Sequence, residues 1–108
     1  MDRVDRIADI LYGVASTQGG LIEYVPLGRR VGVQPHHLGS FLEKVSTRAV
    51  HRDDPLWSAL VVSKDTGLPS SGFYGLARRL RDEYASLDDK QVWEEERRRC
   101  YEAAARPA

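Results

Sequence analysis

Only one cysteine, Cys100, occurs in the 108 residues. That excludes an internal disulfide and any cysteine-cluster metal site. No apolar run approaches the roughly 20 residues that a membrane-spanning helix needs. The first six residues, Met1-Asp2-Arg3-Val4-Asp5-Arg6, are charged and lack the apolar stretch of a secretion signal. A cytoplasmic protein without a membrane partner is therefore expected. A phosphate-cradling glycine loop is missing, as is any His-x-x-x-His or His-Glu-x-x-His pair on a helix. No cofactor and no metal are expected. His51-Arg52-Asp53-Asp54 has the residue types of a metal site but reads as a solvated turn. Net charge is also lacking, since 16 basic residues face 16 acidic ones. A general nucleic-acid binder normally carries a basic excess.

The charges are not evenly spread. Residues 25–52 hold five bases (Arg29, Arg30, Lys44, Arg48, Arg52) against one acid, Glu43. Residues 82–102 hold eight acids against Lys90, Arg97, Arg98 and Arg99. A basic middle and an acidic end suggest two surfaces with different partners, although solvated helices also carry such charges.

Hydrophobic spacing sets the elements. Val4, Ile7, Ala8, Leu11, Val14 and Ala15 follow the period of an amphipathic helix of about 13 residues. Asp2 or Asp5 suits its start, and Gly19-Gly20 breaks the chain after it. Residues 21–24 read as a short extended piece. Pro26 then opens a short helix that Gly32 closes. Pro35 opens the next helix, with Leu38, Phe41, Leu42 and Val45 on one face. Two short helices hinged at a glycine form a helix-turn-helix. A polar loop is expected over residues 46–55, then a strand over residues 57–63. The turn formers of residues 64–72 lead to a brief return strand at Phe73-Tyr74, which would make a wing or a plain β-hairpin. Leu76, Ala77, Leu80 and Tyr84 line a further helix. Residues 90–105 form a last helix whose apolar residues are Val92, Trp93, Cys100 and Tyr101, with Pro107 ending it. That thin apolar face would pack on the domain, pair with a second copy or bind a partner. The expected fold class is mainly α with a small β-hairpin. It comprises a winged helix-turn-helix over residues 1–86 and a C-terminal helical extension over residues 87–108.

In a helix-turn-helix the second helix enters the major groove, and its N-terminal residues meet base edges. Residues 35–44 would be that helix. Gln34, His36, His37 and Ser40 would then face bases, since Gln reads adenine and neutral histidine donates or accepts. Arg29 and Arg30 on the preceding helix suit phosphates, and Lys44, Arg48 and Arg52 extend that surface. Gly39 is costly within a helix unless another backbone must come close. The same geometry also serves modules that dock only protein.

Three segments carry a family resemblance. Tyr24-Val25-Pro26-Leu27-Gly28-Arg29-Arg30-Val31-Gly32, His36-His37-Leu38-Gly39-Ser40-Phe41-Leu42, and Leu60 to Leu68 followed by Gly72-Phe73 resemble, in order, the DNA-binding domain of the alkylguanine DNA alkyltransferases and alkyltransferase-like proteins. The likeness covers about 50 of the 108 residues and implies a winged-helix-like fold. The family's chemistry needs a cysteine thiolate within Pro-Cys-His-Arg. Here Trp57 or Ser58 takes that place, followed by Ala59 and Leu60. Alkyl transfer is therefore not expected. The alkyltransferase-like proteins carry tryptophan there and bind damaged bases without repair, a comparison that Trp57 invites. A tryptophan beside an apolar strand is more often a core residue. The family's base-flipping arginine corresponds to His36.

The function expected is non-catalytic binding of double-stranded DNA, in a regulatory or accessory role. The alternatives are a protein-interaction module or inhibitor acting through the acidic C-terminal helix, and an alkyltransferase-like damage sensor.

Overall fold

The computed structural model describes residues 2–106. Helix α1 spans Arg3–Ala15. It starts where expected because the Asp2 carboxylate accepts from the Asp5 N–H at 2.8 Å, satisfying a free donor of the first turn. Val4, Ile7, Leu11 and Ala15 form its buried stripe. Strand β1, Ile22–Glu23, leads directly into helix α2, Tyr24–Val31. Gly32 closes α2 in the left-handed region, at φ 71°, as the sequence indicated. A 3₁₀ turn, Pro35–His37, then feeds helix α3, Leu38–His51.

Helix α3 is longer than expected. The stretch 46–55 is not a loop from its start, because Ser46 and Ala49 face the core and extend the stripe of Leu38, Leu42 and Val45. The helix ends in the His51-Arg52-Asp53-Asp54 cluster. There Asp53 takes the left-handed position that glycine often fills, and the Asp54 N–H donates to the Ala49 carbonyl.

The expected β-hairpin is corrected. Trp57–Leu60 is a 3₁₀ turn, and only Val61–Val62 forms strand β2. Its partner is β1, in parallel, with Ile22 opposite Val61 and Glu23 opposite Val62. A parallel pair needs a long crossover instead of a tight turn, and α2 with α3 supplies it. Phe73 and Tyr74 are not a return strand. They lie in helix α4, Ser71–Leu80, where Phe73, Leu76 and Ala77 are buried. Tyr84 sits on a separate 3₁₀ segment, Asp82–Ser86. Helix α5, Asp89–Ala105, opens with a reciprocal capping box between Asp88 and Gln91. The role assigned to Pro107 lies outside the described residues. No helix among them is long and apolar enough to cross a membrane.

Two apolar clusters meet at the 3₁₀ turn. Trp57 and Leu60 join the cluster built on α1, α2 and α3, while Leu56 and Ala59 join one with Phe73, Ala77, Tyr84 and Val92. Helix α5 enters both, through Cys100 and Tyr101 in the first and Val92 in the second. Its thin apolar face is thus covered from within the molecule. Trp93 also turns inward, and its Nε1–H donates to the Ala59 carbonyl at 2.9 Å.

The remaining inward residue of α5 is a charge. Glu96 is fully buried. Its carboxylate accepts from the Leu56 N–H at 2.7 Å, from Arg81 Nε at 2.8 Å and from the Tyr84 hydroxyl at 2.5 Å. Burial first, then the Glu96 contact, pushes the Tyr84 phenol well above the tyrosine range. Every element between β2 and α5 is thereby tied to the start of the 3₁₀ turn. Removing one partner of such a network strands the others without water. Glu96→Ala is expected to lose about 3–5 kcal/mol of unfolding free energy in urea titration. A loss below about 1 kcal/mol would show that the network contributes little.

Candidate nucleic-acid interface

The turn residues Gly32, Val33 and Gln34 separate α2 from the 3₁₀ turn that begins α3. The approach is close. The Val33 N–H donates to the Gly28 carbonyl at 2.9 Å, and a Cβ on Gly28 would lie 2.4 Å from the Val33 carbonyl oxygen. Gly28 thus lets the chain fold back over α2. Gly39 has no such neighbour, so the close backbone approach considered for it does not exist within the protein.

Arg29, Arg30, Gln34, His36, His37, Ser40 and Lys44 are all exposed. The His36 and His37 rings meet at a tilt of 56° with centroids 4.0 Å apart. The Ser40 hydroxyl donates to the His37 carbonyl at 3.2 Å and so reinforces the start of α3. Phe41 and Lys44 lie one turn apart on α3.

Arg48 and Arg52 stand apart from this group. Arg48 Nη1 lies 3.0 Å from Asp2 and 3.2 Å from Asp5, and Arg52 Nη1 lies 3.6 Å from Asp5. The Asp5 N–H and the Arg48 guanidinium together hold the Asp2 carboxyl below its usual range. These two arginines fasten α3 to α1 and are neutralised there. The local excess of cations read from residues 25–52 is correspondingly smaller on the surface.

Two cations absent from the sequence reading join the group instead. Arg3 stands 6.0 Å over the Phe41 ring. Arg6 Nη2 donates to the Arg30 carbonyl at 2.8 Å, capping the C-terminal end of α2. Their signal was the three-residue spacing of arginines in the first turn of α1. Among the described residues, Arg3, Arg6, Arg29, Arg30 and Lys44 form no ion pair, whereas Arg78, Arg79, Arg81, Arg98 and Arg99 all do.

A cleft of about 410 Å³ opens beside α3, between α2 and α4. Tyr24 and Phe73 line it, Gly39, Gly72 and Gly75 widen it, and Ser58 contributes to its wall. The Tyr24 hydroxyl accepts from the Ser70 N–H at 3.2 Å, which holds the ring in place. Ser58 and Ser46 share a buried hydrogen bond of 2.6 Å. A hydroxyl partnered by another hydroxyl has no base to remove its proton. Trp57 does not line this cleft. It is 6% exposed, sits in the larger apolar cluster and packs edge-on against Tyr12. Among the described residues, no group of three or more His, Cys, Asp and Glu side chains is placed to hold a metal ion.

Comparison with protein families, with curated proteins and with solved structures finds no match.

The single thiol lies far from reactivity. Cys100 is buried, its sulfur 3.6 Å from the Leu56 carbonyl, and burial foremost, with the Glu96 charge adding, pushes the thiol well up. At pH 8 a disulfide reagent such as Ellman's is expected to label the folded protein at least roughly a hundredfold more slowly than the urea-unfolded chain. Equal rates would place Cys100 at the surface.

Proposed function

We propose that this protein is a non-catalytic DNA-binding protein that uses α2, the Gly32 turn and α3 as a helix-turn-helix. The observation that carries this reading is the sorting of charge. Arg78, Arg79, Arg81, Arg98 and Arg99 are held in ion pairs and Arg97 lies 3.9 Å over the Trp93 ring, while among the described residues Arg29, Arg30 and Lys44 stand free beside exposed polar groups at the start of α3. Free cations release counterions from a phosphate backbone, and paired ones contribute little to that process. Gln34, His36, His37 and Ser40 occupy the positions that meet base edges in such a docking. The Ser46–Ser58 pair, with no base beside it, supports the absence of acyl or alkyl transfer. Fluorescence anisotropy with a mixed 20-base-pair duplex at about 50 mM salt is expected to show binding at micromolar protein, weakened by Arg29→Gln/Arg30→Gln. An unchanged signal at tens of micromolar protein would sink the reading.

A second reading draws on the cleft. Its volume falls within the roughly 300–1,000 Å³ typical of small-ligand sites. It opens beside the proposed recognition helix, with Tyr24 and Phe73 as aromatic walls. An extrahelical base, as in the alkyltransferase-like proteins that three segments of the chain resemble, would find room and stacking surface there. Tighter binding to a duplex containing O6-alkylguanine than to the same duplex with guanine is expected on this reading. Equal affinities would remove it and leave the first reading standing.

A further inference from the structure

The repeat Asp2-Arg3-Val4-Asp5-Arg6 places like charges three residues apart, so they share a helix face, and unlike charges about 100° round the axis. The fold uses that rotation to separate them. Asp2 and Asp5 turn to the C-terminal half of α3 and take Arg48 and Arg52. Arg3 and Arg6 turn the other way. Arg3 stands over Phe41, and Arg6 reaches the carbonyl of Arg30. Phe41 lies one turn before Lys44. A band of cations therefore crosses three helices, from Lys44 through Arg3 and Arg6 to Arg30. A shallow groove lined by Asp2, Arg3, Arg6 and Val31 lies along it, and the one carboxylate there, Asp2, is neutralised by Arg48.

We infer that Arg3 and Arg6 of α1 are backbone-phosphate contacts of duplex DNA, in the role that Arg48 and Arg52 are prevented from filling. This rests on the DNA-binding reading and names part of its surface. Three features favour these two side chains. The Arg6 guanidinium is held by the Arg30 carbonyl, so little further ordering of that side chain is needed on binding. Arg6 spends one of its five N–H donors on Arg30 and keeps the rest for a ligand. Neither forms an ion pair among the described residues, and a fork of N–H donors matches two oxygens of one phosphate.

The experiment is the salt dependence of duplex affinity for four proteins: wild type, Arg3→Gln/Arg6→Gln, Arg3→Lys/Arg6→Lys, and Lys90→Gln/Arg98→Gln as an equal loss of charge on α5. Each phosphate contact adds about 0.9 to the slope of log affinity against log salt. The glutamine pair on α1 is expected to flatten the slope by one to two units and to weaken binding at least roughly tenfold at 50 mM salt. The lysine pair should keep the slope, and the α5 pair should keep both slope and affinity. Wild-type slope and affinity in Arg3→Gln/Arg6→Gln would overturn the inference while leaving DNA binding intact. An equal flattening in the α5 pair would also overturn it, since the effect would then follow net charge. No binding by wild type would overturn both readings together.

Discussion

The rest of the structure depends on a buried carboxylate. Glu96 reaches the backbone N–H of Leu56 and, through Arg81 and Tyr84, the segment that joins α4 to α5. Leu56 stands at the head of the 3₁₀ turn that serves both apolar clusters. The position of β2, and so of the sheet, follows from that turn. Hydrophobic burial does not distinguish one sliding position of α5 from another by much, because its apolar stripe is thin. A charge that must meet three donors at once does distinguish them. The candidate interface inherits this order, since Ser58 and the α4 wall of the cleft hang from the same turn.

Charge also decides which arginines remain available. The chain is balanced overall, but the balance is local. Most arginines of α4, α5 and the 3₁₀ segment between them are neutralised by nearby carboxylates, as in Arg78 with Asp89 and Arg99 with Glu83. Exposed pairs of this kind add little stability. Their consequence is electrostatic: one end of the molecule presents few free cations, and the α1–α2–α3 end presents several. A protein with no net charge can thus offer an anion a one-sided surface.

Much of the first half was legible in the sequence. The period of α1, the cap at Asp2 and the left-handed Gly32 are local events, and local spacing predicts them. The parallel sheet was not legible and was read as a wing, because the partner of Val61–Val62 is Ile22–Glu23, on the far side of two helices. Phe73 suited a strand by propensity but went to α4, where it joins Ala77 in the smaller cluster. The C-terminal half of α3 was hidden by Ser46, a polar residue at a core position that is satisfied only by Ser58. Helix α5 itself was legible, but Glu96 hid part of its inward face, since hydrophobic spacing scores a buried carboxylate as solvent-facing. The candidate site was half legible. Exposed polar groups at the start of α3 follow from the turn, but the capture of Arg48 and Arg52 by Asp2 and Asp5 links positions more than 40 residues apart.

The two-residue sheet has a consequence for how the chain reaches this state. Each strand is too short to hold its partner alone, and the segment between them contains α2, the turn and α3. Closing so long a loop for a few backbone hydrogen bonds is unfavourable until the helices have already packed. The sheet is therefore a late latch on a helical nucleus.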